Sequence, residues 1–377
     1  MKIEKLIYED DWHLSTPGEA LQAPQLVLFF GGSRELADPS RYDELRRRYP
    51  EAHLVGCSTA GEILDDEVLD DSVVATALEF EGVKVAVHSI DIDECADSHA
   101  AGVALGRALD REDLRGLLIL SDGQKVNGSE LVRGIAGSVS AEVPITGGLA
   151  GDADRFETTL VSCDAPPRSG LIAGVGFYCE RADIGFGSFG GWDSFGPTRT
   201  ITRAESNVLF ELDGRPALAL YKEYLGDEAE NLPGSALLFP LSIYPEGQPD
   251  RQLVRTILSI DEDAQSMTFA GDLPVGHSAQ LMMANFDRLV EGASEAARRV
   301  EPGEDPSDRL AILISCVGRK IVLGQRTADE VEAVQERLGE GAHQVGFYSY
   351  GEISPNGSIS SCELHNQTMT ITVLSER

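Results

Sequence analysis

The chain has 377 residues, a length that favours two domains over a single core. Its net charge of −32, from 63 acidic and 31 basic side chains, argues against nucleic acid and anionic membranes as partners. Because no apolar run approaches the roughly 18 residues of a membrane span and the N-terminus lacks the apolar core of a signal peptide, the composition predicts a cytoplasmic protein.

The first predicted unit begins with an apolar strand at 25–30. An amphipathic helix follows over 42–49, where apolar residues recur at i, i+3 and i+7. The segment AHLVGCSTAGEI (52–63) then supplies a strand and a glycine loop, and a β-rich run at 72–80 closes the unit. These patterns predict the order strand, helix, strand, loop, strand.

The middle of the chain carries a weaker copy of this unit. A strand at 116–120 leads to a helix over 129–139 with Ser129 as its N-cap, then to a strand at 143–146 and the loop GGLAGD (147–152). Further elements are predicted at 158–163, 170–179, 184–189 and 216–225.

A second strong copy of the first unit occupies the C-terminal part. A strand at 310–316, a helix over 331–338 and the segment AHQVGFYSYGEI (342–353) repeat the earlier order, and a strand at 367–374 follows. Both segments fit the pattern A-H-x-V-G, four residues, then G-E-I. The agreement of the flanking elements indicates an ancient duplication.

A hairpin at 256–274 and an amphipathic helix over 278–299 are predicted before the second copy. The helix at 216–225 closes the first half, so we place the domain boundary there. The sequence therefore predicts a mixed α/β fold with two related halves, each built from repeated strand–helix–strand–loop–strand units. The predicted domains are 20–221 and 222–360, with 361–377 as the closing strand of the second.

The strand-end loops 56–62, 316–320 and 346–352 of the duplicated units are the candidate ligand site. In open α/β sheets, ligands bind beyond the carboxyl ends of strands, and glycine-rich turns there present backbone N–H groups to polar molecules. Glu62 and Glu352 are candidates to bind an amino group, the alternative being that they cap backbone N–H groups. The predicted ligand-binding residues are Cys57, Ser58, Thr59, Gly61, Glu62, Arg319, Ser349, Tyr350, Gly351 and Glu352.

Two of these residues have distinctive chemistry. Arg319 follows a strand and a glycine, where its planar fork would hold a carboxylate or a phosphate; the alternative is a surface ion pair. Cys57, between glycine and serine at a strand end, is either a reactive or ligand-binding thiol or an inert, half-buried one. The six cysteines show no CxxC spacing, so neither a zinc site nor a disulfide framework is predicted.

Catalytic motifs find little support in the sequence. GFGSFG (185–190) has the glycine spacing of a dinucleotide loop, but Pro197 stands soon after it, where a helix should begin. GCSTAG (56–61) spaces its glycines one residue too far apart for a nucleophile elbow. His53 and His343 occupy equivalent repeat positions, either as haem or metal ligands or as ordinary strand histidines.

Several blocks together resemble the FIST family. These are GCSTAGEI (56–63), GGLAGD (147–152), GGWDSFGP (190–197) continuing into NVLFELDGRPALALYKEYLG (207–226), CVGRK with LGQRT, and GFYSYGEISP (346–355). They stand in the family's order and cover about residues 20–360. The resemblance implies a FIST N and a FIST C domain that form an intracellular sensory module. In relatives, this module occurs alone or is fused to kinases, cyclases, chemoreceptor-type outputs or an F-box.

The resemblance leads us to expect a stand-alone sensor that binds a small ligand, such as an amino acid or another small carboxylate. Its partner would be a separate histidine kinase, or a diguanylate cyclase or phosphodiesterase. No cofactor is expected, although some family members bind haem and sense nitric oxide, which makes a haem-based sensor the alternative. An enzyme acting on a small carboxylate and a ligand-free scaffold are further hypotheses.

Overall fold

The computed structural model describes residues 1–15, 21–232, 234–300, 309–339, 341–357, 359 and 362–376. The helices of this part are α1 Ser33–Leu36, α2 Ser40–Arg48, α3 Ser98–Leu109, α4 Gly128–Ala136, α5 Ala217–Leu225, α6 Phe286–Arg299, α7 Val317–Leu323 and α8 Thr327–Leu338. Short 3₁₀ helices lie at Ile92–Glu94, Gly226–Asn231, Gly234–Leu238, Pro249–Arg251 and Gly324–Arg326.

The strands of the first half are β1 Lys2–Tyr8, β2 Trp12–Leu14, β3 Leu26–Gly31, β4 His53–Ser58, β5 Glu62–Leu64, β6 Glu67–Leu69, β7 Val73–Glu79, β8 Lys84–Asp91, β9 Leu114–Ser121, β10 Ile145–Leu149, β11 Val161–Cys163, β12 Leu171–Tyr178, β13 Ala182–Phe189, β14 Asp193–Glu205, β15 Val208–Leu212 and β16 Arg215–Pro216. Those of the second half are β17 Leu241–Tyr244, β18 Leu253–Arg255, β19 Ile257–Asp261, β20 Ser266–Phe269, β21 Ser278–Met283, β22 Arg309–Cys316, β23 Ala342–Ser349, β24 Gly351–Pro355, β25 Cys362–His365 and β26 Met369–Glu376. The first and last residues of the closing strand predicted at 361–377 lie outside the described residues.

Three sheets of the described chain are built around the same strand trio. Their orders are β11-β4-β3-β7-β1-β2, β13-β26-β22-β23-β5-β6 and β25-β24-β10-β9-β12-β8. In each trio a parallel pair is flanked by an antiparallel strand, giving β4-β3-β7, β23-β22-β26 and β10-β9-β12. The predicted mixed α/β class and the related halves are confirmed, and the middle copy shares their topology.

The three trios exchange their short strands in a cycle. The strand that follows β4 is β5, and it pairs with β23 of the next sheet. The strand that follows β23 is β24, which pairs with β10, while β11, after β10, pairs back with β4. Each sheet is therefore completed by another unit, so the strand-end loops of all three units meet at the crossings.

A glycine at the same place in each parallel pair allows close contact between strands. Gly56 lies opposite Phe29, Gly147 opposite Ile119 and Gly346 opposite Leu313. A Cβ at these glycines would stand 2.2, 1.9 and 1.8 Å from the carbonyl oxygen of the opposite residue. No side chain fits there, which explains why the glycine of the A-H-x-V-G pattern recurs.

A fourth sheet, within residues 193–283, packs beside the three trios. Its order is β18-β17-β21-β14-β15-β20-β19, with β16 beside β15. Ile201, Tyr221 and Phe269 belong to its separate buried cluster. The hairpin predicted at 256–274 is confirmed as the pair β19 and β20.

Two helix predictions need correction. The helix predicted over 278–299 begins only at Phe286, with the side chain of Asn285 as its N-cap, because residues 278–283 form β21. The prediction extended the apolar spacing of the helix back to Met282, but Met282 is buried in β21, next to the buried Leu281. Among the described helices, none combines the length and apolar character needed to cross a membrane.

The N-cap of the middle helix is Asn127 and not Ser129. The Asn127 side chain accepts a hydrogen bond from the Glu130 backbone N–H, so α4 begins at Gly128. Ser129 lies inside the first turn. Likewise, the segment 316–320, predicted as a loop, begins helix α7.

Candidate ligand site at the strand-end loops

The predicted loops 56–62 and 346–352 lie against each other. The Ala60 N–H donates to the Tyr348 carbonyl at 2.8 Å, and the Tyr348 N–H donates to the Gly61 carbonyl at 2.8 Å. Lys320 joins them by donating to the Ala60 carbonyl at 2.8 Å. The loop of the middle unit also arrives here, since the Gly151 N–H donates to the Ser58 carbonyl at 2.9 Å.

Glu62 holds its loop from the inside. The Thr59 hydroxyl donates to one carboxylate oxygen of Glu62, and Ser72 donates to the other from its backbone N–H at 3.3 Å and its hydroxyl at 2.7 Å. The side chain is fully buried. Burial raises the pKa of Glu62 to about 7 against the opposing effect of these hydrogen bonds.

Glu352 repeats this arrangement in the C-terminal unit. Ser349 donates to one carboxylate oxygen at 2.8 Å, and Thr368 donates to the other from its N–H at 3.2 Å and its hydroxyl at 2.8 Å. Burial again dominates and raises the pKa of Glu352 to about 8. Both glutamates therefore act as internal caps, the second of the two roles considered for them.

Asp152 has the corresponding place in the middle unit, directly after Gly151. It accepts hydrogen bonds from the side chains of Ser33 and Arg155 and from the Thr158 N–H at 3.1 Å. Sequence reasoning did not single it out. The signal was a glycine followed by an acid after the strand, present in all three units.

Arg319 is directed into the core. Its side chain is 0% exposed and donates to a Glu330 carboxylate oxygen at 3.0 and 2.6 Å. It also donates to the carbonyls of Leu289, at 2.8 Å, and Gly190. This arrangement corrects the interpretation of Arg319 as a ligand-facing fork or a surface ion pair. The reason is that α7 begins where a loop was predicted, and the helix turns the side chain inward.

Cys57 and Ser58 are part of the framework of the loop. Cys57 is fully buried, and burial together with the nearby Glu62 raises its thiol pKa well above the usual value, as expected of an inert thiol. The Ser58 hydroxyl donates to the Gly151 carbonyl at 2.7 Å and accepts from the Leu160 N–H at 2.9 Å. These contacts occupy its hydrogen-bonding groups.

Of the predicted ligand-binding residues, Tyr350 lines a cavity. The cavity has a volume of about 320 Å³ and lies beyond the carboxyl ends of β9 and β10. We name it the strand-end cavity; its lining residues are Gly123–Gly128, Leu149, Phe156, Asn207, Leu258, Phe269–Gly271 and Tyr350.

An aromatic pair forms one wall of the strand-end cavity. The rings of Phe156 and Tyr350 are stacked, with centroids 4.5 Å apart and planes 15° apart. The Tyr350 hydroxyl accepts from the Phe156 N–H and donates to the Ala153 carbonyl, each at 3.2 Å. Phe156 and Leu258 are 46% and 49% exposed and present apolar surface to the cavity.

Polar groups lie on the other walls of the strand-end cavity. Helix α4 begins at its edge with Asn127 and Gly128, where a helix N-terminus favours negative charge. The Asn207 side chain donates to the Phe269 carbonyl at 2.8 Å, and Lys125 forms an ion pair with Asp93 at 3.0 Å. The site thus combines an aromatic face with a few polar groups, as small-molecule sites do.

His53 lines a different cavity, of about 890 Å³, at the opposite ends of β3 and β4. Its Nδ1 lies 2.7 Å from a carboxylate oxygen of Asp164, which leaves Nε2 as the nitrogen able to bind a metal. No group of three or more His, Cys, Asp or Glu side chains suited to hold a metal ion occurs within the described residues.

Comparisons with known proteins identify two domains in the chain. The model of the FIST N domain matches residues 25–215, and that of the FIST C domain matches 217–355. An uncharacterized protein of Methanocaldococcus jannaschii is 23% identical in an alignment of 347 positions that covers 82% of this chain and 66% of that protein. The chain thus spans slightly less than two thirds of the relative's length.

A solved crystal structure of chorismatase also aligns with the chain. The alignment covers 99% of this chain and 98% of the other, at 10% sequence identity and a TM-score of 0.35. A similarity at that level supports no conclusion about fold or activity.

Proposed function

The chain belongs to the FIST family, whose domains serve sensing and signal transduction, and we propose that it binds a small molecule in the strand-end cavity. One observation carries the proposal: the cavity is lined from both domains. Phe156 and Asn207 lie in the range of FIST N, and Leu258 and Tyr350 in that of FIST C. A ligand that contacts both would favour one arrangement of the domains, which is what a sensor needs.

The proposed ligand is an amino acid or another small carboxylate. A volume of about 320 Å³ suits a molecule of that size. The stacked pair of Phe156 and Tyr350 offers a flat apolar face, and the start of α4 at Asn127 favours an acidic group.

A thermal-shift screen of amino acids and small carboxylates tests the proposal. A specific ligand at 100 times its dissociation constant stabilises the folded state by about 2.7 kcal/mol. Phe156→Ala should weaken binding of the best compound about tenfold, because it removes the exposed half of the aromatic wall. Phe286→Ala is the matched control, since Phe286 is 47% exposed and lies outside the cavity. Equal affinity in both variants would refute the strand-end cavity as the site.

The second candidate function is a haem-based sensor, and His53 is the observation that favours it. Its Asp164 partner orients the imidazole in the manner of metal-binding histidines, and His53 lines the large cavity of about 890 Å³. Protein produced with haem available would show a Soret band at one haem per chain, lost in His53→Ala. A chain without that band would exclude this candidate.

We further propose that the chain is not an enzyme and that it transmits its signal to a separate protein, either a histidine kinase or a diguanylate cyclase or phosphodiesterase. The support is the sensory character of the family. Adding the purified chain, with and without the compound found in the screen, to a candidate kinase should change the rate of autophosphorylation. A rate that is the same in all mixtures would reject that kinase as the partner.

A further inference from the structure

A second cavity of about 300 Å³ shares a wall with the strand-end cavity. The wall consists of the first residues of α4 and the segment 270–274: Gly128 and Gly271 face the strand-end cavity, while Ser129 and Asp272 face the second. We name it the arginine cavity, because Arg133, Arg251 and Arg255 line it, together with His277, Asp272 and Glu363.

Arg255 is a buried cation that has no carboxylate in direct contact among the residues that the structure describes. The residue is only 3% exposed. Its guanidinium donates hydrogen bonds to three backbone carbonyls, those of Asp272 at 3.1 Å, Val254 at 3.3 Å and Leu364 at 2.9 Å. Burial lowers the pKa of Arg255 to about 10, which reflects the cost of holding this charge away from water.

The backbone around Arg255 is shaped to admit the guanidinium. A Cβ at Gly271 would stand 3.0 Å from the central carbon of the guanidinium, so a larger residue at 271 would press on it. The Arg255 group is thus fixed by carbonyls on one side and by Gly271 on another. A cation held in this way, at the wall of a cavity, is preorganised for an anion.

The carboxylates of the cavity do not balance its arginines. Asp272 is occupied by Arg133, whose guanidinium lies 2.7 Å away. Glu363 stands 3.9 Å from Arg251, beyond hydrogen-bonding distance. Burial raises the pKa of Glu363, which weakens it further as a counter-ion. Arg133 is also paired with Glu130, so the arginine of this cavity without a carboxylate in contact, among the described residues, is Arg255.

We propose that the arginine cavity binds the oxyanion group of a small molecule, a carboxylate or a phosphate, through Arg251 and Arg255. Arg255 supplies the buried, fixed cation, and Arg251, half exposed at the rim, supplies a second that moves onto the bound group. Ile243 and Leu253 provide apolar wall for the remainder of the molecule. The site is separate from the strand-end cavity, and its test does not depend on the ligand proposed there.

Calorimetric titration at low ionic strength, with succinate and inorganic phosphate as probes, tests this site. At least one probe should bind, and the stronger one identifies the group as carboxylate or phosphate. Neutral succinamide should not bind, and added salt should weaken the binding of the anion. Arg251→Gln should weaken it at least tenfold, because a charge-assisted hydrogen bond is lost.

The control is Arg215→Gln, which removes the same charge from an exposed arginine paired with Glu223. Arg255→Gln should abolish binding; if that variant fails to fold, Arg251→Gln alone decides. No binding of either anion, equal binding of succinamide, or equal affinity in Arg251→Gln and Arg215→Gln would each overturn the proposal. Phe156→Ala should leave the affinity for the anion unchanged, which separates this site from the strand-end cavity.

Discussion

The buried pair of Arg319 and Glu330 should be among the most sensitive points of the fold. Replacing Arg319 by Met leaves the Glu330 carboxylate in the core with the hydroxyls of Ser315 and Tyr348 as its remaining partners, at 3.0 and 2.8 Å. It also frees the Leu289 carbonyl, which Arg319 now binds. Breaking one side of a buried pair costs about 3–5 kcal/mol, because the other charge stays buried without compensation.

Denaturant unfolding followed by circular dichroism measures this cost. Arg319→Met should lower the free energy of unfolding by about 3–5 kcal/mol. The double variant Arg319→Met with Glu330→Gln should lose less of the free energy of unfolding, since no unpaired charge remains in the core. The control is Arg326→Met: Arg326 is 43% exposed and pairs with Asp287 and Asp329 at the surface, where such pairs contribute about 0–1 kcal/mol.

Equal, small losses in Arg319→Met and Arg326→Met would refute the reasoning. That result would mean that Arg319 is accessible to solvent, and it would return Arg319 to the ligand-binding residues. A double variant less stable than Arg319→Met would also contradict the argument from a stranded charge.

Two further predictions concern the repeated units. Gly346→Ala should lower the free energy of unfolding by at least about 1–3 kcal/mol in the same assay, because its Cβ would overlap the Leu313 carbonyl. The control is Gly234→Ala, which has open space around it and should change the free energy of unfolding little. Equal losses in the two variants would contradict the close contact at Gly346. Since burial raises the pKa values of Glu62 and Glu352 to about 7 and about 8, the folded state holds more protons than the unfolded state above pH 4.5. The free energy of unfolding should therefore fall as the pH rises from about 5 to 8, and the double variant Glu62→Gln with Glu352→Gln should flatten that slope; an unchanged slope would show that the two carboxyls titrate normally.

The repeated units were predictable because their signals are local. The shared pattern of AHLVGCSTAGEI and AHQVGFYSYGEI gave two of the three trios, and the glycine it contains marks a contact that excludes a Cβ. The cyclic exchange of β5, β24 and β11 was not predictable, because each short strand pairs with a segment far away in the chain. Pairings of that kind leave no periodicity in the sequence.

The candidate site was only partly predictable for a related reason. Tyr350 stood in the repeated loop, but Phe156 and Leu258 come from segments whose meeting depends on the packing of the fourth sheet. The prediction that Arg319 faces a ligand was wrong because Cys316–Lys320 was taken for a loop. The segment combines the end of β22 with the first turn of α7, and Gly318 is typical of loops. Arg255 was not predicted to belong to a site, because no local sequence pattern distinguishes a buried arginine from an exposed one.

Hydrogen–deuterium exchange with the best compound from the screen tests the central claim, a ligand held between the two FIST domains, most directly. The account predicts slower exchange in 123–128 and in 269–271 together, because these segments line the strand-end cavity from opposite domains. Protection confined to 80–85 around the His53 cavity, or to one of the two domains alone, would contradict it.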